Sequence, residues 1–540
     1  MLLAQDPAAP EVDLESLYRQ ESWEEVVRRA ESTKQRTAQL DYLHGMALAK
    51  LKRLASAEEV FLEGMNRHPK DKRFPLELAG VAFLQQDNRQ AKQYLRSALS
   101  LDPSDAYGNE FLATLYFLDG NLEAALKYWN RVSKPEIESV MFGPDPGVRP
   151  DLLQRALVFH GRKTFTVEEL RATRANLDRM GVFARYQFEL VPRGQQRFDV
   201  SFRAIARNTA GSGKLGWLLP MLRGIPYQAL HIDYLNARQS AMNFESLHRW
   251  DAQKRRVFGA FSSPLGGDPR WRYRLALDGR RETWNVLETY RGTGRAVDDF
   301  RMETVEAAVG LERGITPRLA WRNTWSVADR DFRGNPAAEA FRAGRSVKQS
   351  TGLVYDLIRM PERRFGVTSV TGAQGGRLFG PQGGFFTKAN TVFRGEWLPQ
   401  PRGDKWVVSG ALLGGVAGGA LPFDELFILG MERDNDLWLR GRVGTRNGKK
   451  GSAPLGTSYA LLQFDVDRSV YSNQFFRIQA GPLFDFGRSW DRGRSFGSAG
   501  WIPSTGIQTK VRTLAGVTLV MTYARDLAGG RNALYFNAER

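Results

Sequence analysis

Cysteine is absent from all 540 residues, which excludes a disulfide framework and any thiolate metal site or nucleophile. Histidine is scarce. Its five copies, His44, His68, His160, His231 and His248, show no paired metal-ligand spacing, so no metal is expected. Long apolar runs are missing as well. The nearest, Ala411 to Phe423, is glycine-rich and interrupted by Pro422, whereas a membrane-spanning helix takes about 20 apolar residues. A spanning helix is therefore excluded. The opening residues, Leu2-Leu3-Ala4 before Gln5-Asp6-Pro7, read as the tail of a secretory signal whose start lies upstream, and an exported protein is expected. Acidic residues are the minority, 59 against 77 basic ones, for a net charge of +18. That excess is dispersed, mostly as single basic residues between apolar ones, and its densest cluster is Lys254-Arg255-Arg256. A nucleic-acid surface would gather charge on one stripe or helix. No nucleic-acid partner is expected, and anionic lipid headgroups are the better counterpart.

What the chain has in abundance is glycine, 54 residues, and aromatic side chains, 11%, a composition suited to many strands and turns. At ~150 residues per domain the length allows about three domains. The first, residues 14–135, repeats. Pro69 and Pro103 stand 34 apart; small residues recur at Gly45, Ala79 and Ala113 and again at Ala57, Ala91 and Ala125, and bulky ones at Phe61, Leu95 and Trp129. Small residues let two helix backbones approach, and a bulky one four positions later fills the next groove. The period and pattern are those of a tetratricopeptide solenoid, all-α, with an incomplete cap around Trp23, Val27 and Ala30. Such an array offers a concave face for an extended peptide or partner helix, here a client or a periplasmic chaperone or accessory protein. It equally serves as a spacer or dimer contact, and the sequence leaves both open.

Residues 136–207 read as a small α+β module. A strand at Ile137 to Phe142 precedes a Gly/Pro turn, Gly143 to Gly147, and a helix at Leu152 to Val158. A second helix opens at Thr166 with Glu169 three residues on and ends at Gly181. Two alternating strands follow around Phe188 and Val200. This order, with the run from Leu177 to Phe183 leading into the second strand, resembles a polypeptide-transport-associated (POTRA) domain. The resemblance implies a strand edge that pairs with incoming chains. A plain α+β linker is the alternative.

From residue 210 to 540 helix signals vanish and strands alternate. Trp271, Tyr273, Leu275 and Leu277 oppose Arg272, Arg274 and Asp278; Ala460, Leu462, Phe464 and Val466 oppose Gln463, Asp465 and Asp467. An outward apolar face and an inward polar lumen explain the pattern, so a transmembrane antiparallel β-barrel of about 16 strands, each about 9 to 11 residues across the membrane, is expected. Two motifs sharpen this. Leu437 to Arg442 reads LWLRGR, and Leu483 to Gly487 reads LFDFG. They resemble the inward-folded loop tip and the strand motif of the BamA-type and two-partner-secretion transporters, with Arg442 where that family has an aromatic residue and Leu483 where its strand motif opens on Phe or Gly. Asp485 shares a strand face with Arg477 and Gln479, opposite Phe484 and Phe486, so it points into the lumen. The resemblance implies a latch in which Arg440 and Gly441 at the loop tip meet Asp485 and Gly487, a bidentate pair that arginine suits. Two solvated lumen charges are the simpler alternative.

The reading is an outer-membrane polypeptide translocase or insertase with periplasmic N-terminal domains. Unfolded clients would pass the lumen or leave at the seam between Leu230, Ile232 and Tyr234 of the first strand and Leu534, Phe536 and Ala538 of the last. The alternatives are a passive channel with a scaffolding front end and a surface-lipoprotein exporter. No cofactor and no catalysis are expected. Gly493-Arg494-Ser495-Phe496-Gly497 has nucleophile-elbow spacing, but no histidine follows His248. Gly211-Ser212-Gly213-Lys214 imitates a phosphate loop with Asn208 and Leu215 at the wrong places.

Overall fold

The computed structural model describes residues 14–143, 147–194, 197–207, 217–225, 228–287, 296–334, 342–381, 383–433, 435–491, 496–513 and 517–539. They form two compact units. One is the described residues up to Glu136 with Thr164–Val167; the other comprises the described residues of Ile137–Lys163 and from Glu168 onward.

The first unit is helical, with α1 (Leu14–Arg19), α2 (Trp23–Ser32), α3 (Ala38–Lys50), α4 (Leu54–Arg67), α5 (Arg73–Leu84), α6 (Asn88–Leu101), α7 (Ala106–Leu118) and α8 (Leu122–Trp129). Four of these helices start on a side chain that accepts a hydrogen bond from an orphan N–H of the first turn: Thr37, Asp87, Asp105 and Asn121. The expected packing residues Ala57, Phe61, Ala79, Ala91, Leu95, Ala113 and Ala125 are fully buried, and Trp129 nearly so. A Cβ on Gly45 would stand 2.3 Å from the Phe61 ring. Glycine is thus required where α3 crosses α4.

The second unit begins with β1 (Glu136–Phe142), α9 (Pro150–Ala156), β2 (Lys163–Thr164), α10 (Val167–Met180), β3 (Phe183–Gly194) and β4 (Arg197–Ala206). The sheet order is β2-β1-β4-β3, so the 12-residue β3 is an edge. α9 starts and ends two residues earlier than its apolar pattern implies, because Pro150 supplies a preset first turn. Gly181 closes α10 at φ +69°, where left-handed backbone favours glycine.

After the short α11 (Leu218–Leu222) come β5 (Ala229–Leu230), β6 (Tyr234–Ala237), β7 (Met242–Trp250), β8 (Lys254–Leu265), β9 (Asp268–Leu287), β10 (Ala296–Thr316), β11 (Leu319–Arg333), β12 (Gly344–Met360), β13 (Phe365–Leu378), β14 (Gly384–Trp397) and β15 (Trp406–Gly419). The short β16 (Phe427–Ile428), β17 (Thr445–Arg446), β18 (Lys449–Lys450) and β19 (Leu455–Gly456) follow. The chain ends with β20 (Ser458–Ser472), β21 (Phe476–Trp490), β22 (Ile502–Thr513), β23 (Thr518–Asp526) and β24 (Asn532–Glu539). Eighteen of these segments make a closed barrel. β17 and β18 are a short hairpin that touches the wall through one parallel pairing, Lys450 with Trp284 of β9, and β5 and β6 are two pieces of one strand, since both pair with β7.

Fifteen wall strands remain among the described residues, joined by antiparallel ladders from the first to the last. An odd number of alternating strands ends in the direction it began, so the first and last run the same way. This differs from an even, fully antiparallel wall. The first strand also breaks where continuous alternation was expected. Ser246 donates to the Ile232 carbonyl at 2.7 Å and Asp233 accepts from the Ser246 N–H at 3.2 Å, which puts Ile232 in the gap between β5 and β6.

Along the middle of the wall outward side chains are apolar and exposed, for example Leu277, Val305, Val416 and Ile507. β9 and β10 run 20 and 21 residues, about twice the expected crossing length, so their ends project beyond the apolar band. The α+β module meets the barrel at its short turns: Arg272 Nη1 donates to the Met180 carbonyl at 3.1 Å and Arg155 Nη1 to that of Gly266 at 3.2 Å.

Candidate functional site: a loop held inside the barrel

β15 and β20 pair directly along their length, Leu412 opposite Leu462. Residues 420–457 between them are therefore not needed for the wall, and they fold into the lumen. Charged side chains fix them there. Asp424 accepts from Arg280 at 2.8 Å and from Arg330 at 2.6 Å. Glu425 meets Lys348 at 2.7 Å and Lys388 at 3.3 Å. Lys450 lies 2.8 Å from both Glu282 and Glu432. Burial works against the Lys450 ammonium, but those two carboxylates outweigh it and lift its pKa above the usual lysine range.

At the tip the structure brings Arg440 and Asp485 together. The Arg440 backbone N–H donates to Asp485 Oδ2 at 2.7 Å and its Nε to both carboxylate oxygens at 3.0 Å. Its Nη1 reaches Asp465 and, at 3.4 Å, Gln508 Oε1. Asp485 is fully buried, on the same strand face as the buried Gln479 and Gly487. The two glycines admit this approach. A Cβ on Gly441 would lie 2.7 Å from the Asp526 backbone nitrogen, and one on Gly487 within 3.0 to 3.4 Å of Leu461, Leu429 and Leu439. Leu429 and Leu439 are fully buried in a cluster with Phe427, Tyr459 and Leu461. Arg442, which departs from the aromatic of the resembling family, pairs with Asp526 at 2.7 Å.

The lumen is less polar than expected. Inward Trp284, Phe300, Met302 and Phe386 pack with Leu421, Phe423 and Leu426 of the loop, and Phe423 meets Trp284 edge-on at 4.9 Å between centroids. Alternation tells which residues share a face but not how dry that face is, so these went unread. So did Asp424, Glu425, Glu282, Lys450 and Asp526, whose partners are remote in sequence.

The remaining predicted residues are dispersed. Leu230 lies in β5, Ile232 in the break, Tyr234 in β6, and Leu534, Phe536 and Ala538 in β24, where Leu534 pairs with Tyr523 and Phe536 with Met521. Ile232, Tyr234, Leu534 and Phe536 face outward and are exposed. Gly493, Arg494 and Ser495 of the elbow-like motif, and Asn208 with Gly211–Leu215 of the loop-like one, lie outside the described residues. Among the described residues no group of three His, Asp or Glu could hold a metal ion.

Compared with known proteins, the chain matches no family model and no curated protein. Among solved structures it is similar to CdiB from Escherichia coli, at 13% identity and a TM-score of 0.50, over 75% of this chain and 76% of that one. It also matches CdiB from Acinetobacter baumannii at 11% identity and a TM-score of 0.46, over 77% and 81%. BamA from Haemophilus ducreyi lacking POTRA domains 1–3 matches at 13% and 0.43, over 75% and 84%. The fold is a β-barrel like that of CdiB from Escherichia coli.

Proposed function

We propose that the protein is a polypeptide translocase or insertase of the bacterial outer membrane, its N-terminal segments on the periplasmic side. The observation that carries this reading is the inward loop held to the wall by Arg440 and Asp485 and by the pairs at Asp424, Glu425, Lys450 and Arg442. A passive channel needs an open lumen, whereas a transporter must stay closed between clients. The same loop and strand motifs resemble those of the BamA-type and two-partner-secretion transporters.

The other parts fit the role. The strand-helix-helix-strand-strand module reads as POTRA-like, and its edge β3, with β4 on one side, supports addition of an extended client. The helical array reads as tetratricopeptide repeats whose concave face receives the client or a periplasmic accessory protein. Seam residues Leu230, Ile232, Tyr234, Leu534, Phe536 and Ala538 support lateral release, because the first strand is only two residues plus four and holds its neighbour weakly. The driving force is the client's own strand pairing and apolar burial, without nucleotide.

The test is the full chain with a secretory signal, in isolated outer membranes and then in liposomes with an unfolded barrel client. A band in that fraction that resists detergent until boiled, together with accelerated client assembly, is expected. A soluble chain without a mobility shift, or free solute flux without client assembly, would overturn the proposal.

A further inference from the structure

The outer wall across β8 to β12 carries two features that the transport reading does not use. The first is a groove of about 1220 Å³ on the outward face. Gly259, Gly279 and Ala307 form its floor as a diagonal patch: Gly259 and Ala307 both lie opposite Leu277, and Gly279 lies one outward position along, between Val257 and Val305. Leu277, Val305 and Val327 stand exposed beside them as its sides. Small residues in one patch of an otherwise bulky apolar face leave room for a hydrocarbon chain against the wall.

The second is a belt of outward arginines just past the groove, at the barrel end away from the α+β module. Arg255 is opposite Arg281, and Arg301 is opposite Arg333. Arg345 lies on the next strand, opposite Asp329. Three carboxylates share the belt, and a fourth on the same face, Asp299, is paired with Lys449. Glu303 lies 2.8 Å from Arg281 and 3.6 Å from Arg333, Asp329 lies 3.9 Å from Arg345, and Asp331 is opposite Glu303. Five guanidinium groups against three carboxylates leave positive charge unmatched, and among the described residues Arg255 and Arg301 have no carboxylate partner.

Height fixes what meets the belt. From Trp271 to Gly279 the outward face of β9 is apolar, eight steps of ~3.3 Å, or roughly 20 Å of membrane depth at a 40° tilt. Trp271 stacks against Arg313 (4.7 Å) at the inner edge. The belt starting at Arg281 therefore lies at headgroup level on the far side. It crosses four strand spacings, about 19 Å, too wide for one phosphate and suited to two.

We propose that this face binds one phosphorylated lipid, its phosphates on Arg255, Arg281, Arg301, Arg333 and Arg345 and an acyl chain along the floor of Gly259, Gly279 and Ala307. Guanidinium forks match phosphate oxygens, and the groove excludes water beside them. The site rests on the outer-membrane reading above. The test is native mass spectrometry of the delipidated full chain with diphosphoryl lipid A, monophosphoryl lipid A or dioleoylphosphatidylcholine. Diphosphoryl lipid A should be retained about tenfold better than the zwitterionic lipid, with the monophosphoryl form between. The triple variant Arg281→Gln, Arg301→Gln, Arg333→Gln and the floor-filling Ala307→Trp should each lose that preference while keeping heat-modifiable mobility. Equal retention of all three lipids, or an unchanged triple variant, would overturn the site and leave the membrane reading standing. A parent chain that shows no barrel mobility shift would overturn the reading on which it rests.

Discussion

Replacing Arg440 by alanine should release the lumen loop without unfolding the barrel. The substitution keeps the backbone N–H donated to Asp485 but removes the guanidinium that contacts both carboxylate oxygens. Asp485 is 0% exposed, so its charge is stranded. Removing one partner of a buried ion pair costs about 3–5 kcal/mol, which shifts a local docking equilibrium by roughly 10² to 4 × 10³. The ladders of the wall do not involve Arg440, so opening should be confined to the loop. Because the chain has no cysteine, Ser452→Cys gives a single reporter. Ser452 is buried, and its hydroxyl donates to the Val443 carbonyl at 2.7 Å, near the tip. Maleimide labelling of that thiol in native membranes should accelerate by about 10² with Arg440→Ala. Arg440→Lys should fall between, since an ammonium cannot fork across Asp485 and Asp465. Adding Asp485→Asn to Arg440→Ala should slow labelling again, because the stranded charge is gone. Labelling within about twofold of the parent, no more than a surface pair is worth, in a barrel that keeps its heat-modifiable mobility would refute the latch.

Gly441→Ala should accelerate the same labelling nearly as much, since its Cβ would press on the Asp526 backbone at 2.7 and 2.9 Å. Gly487→Ala meets only side chains at 3.0 Å and beyond and should have a smaller effect. In the helical unit, Phe61→Ala should cost about 3–5 kcal/mol and speed hydrogen exchange in α3 and α4, while α7 and α8 change little because stacked repeats contact only neighbours. His44 sits buried with neither ring nitrogen hydrogen-bonded, and burial, then Arg36, holds its pKa below the ordinary 6.5. The unfolded chain therefore binds the proton more readily. The stability His44 contributes is fully present above about pH 6.5 and is lost as pH falls through and below that value. Exchange protection of α3, corrected for intrinsic rate, should drop between pH 7.5 and 5.5, and His44→Gln should flatten the dependence. The window stops there because Glu77, raised by burial, acts in the opposite sense nearer the carboxylate range.

Much of the fold follows from periodicity. A 34-residue recurrence of Gly45, Ala79 and Ala113 places helix crossings because only small residues fit them, and the 2.3 Å approach at Gly45 is the physical content of that rule. Period-two alternation likewise placed β9, β20 and β21. It understated β9 and β10 because Arg281 and Glu303, outward and charged, do not look like a membrane face, although the ladder runs on through them. It also read through the break at Ile232, where Ser246 and Asp233 take over backbone hydrogen bonds. Nothing in local sequence marks a side chain that replaces a ladder bond.

The loop shows the same division more sharply. Arg440 and Asp485 were legible as a pair because each sits in a short motif with a fixed face. The other anchors are ordinary charges until folding joins Asp424 to Arg280, 144 residues away, or Lys450 to Glu282, 168 away. Arg442 lies between these cases. As a departure from an aromatic position it was visible, but its meaning was not. An aromatic side chain there would fill space by apolar contact. A buried guanidinium instead needs a carboxylate, because desolvation alone would make it strongly unfavourable. Asp526, 0% exposed at the end of β23, supplies it at 2.7 Å. Asp526 also accepts from the backbone N–H groups of Ala528 and Gly529, each at 2.9 Å, which turns the chain toward β24. One carboxylate thus ties the loop tip to the hairpin that forms the last strand. Loop position and the seam edge of the barrel are coupled through it, a coupling that an aromatic residue at position 442 would not provide.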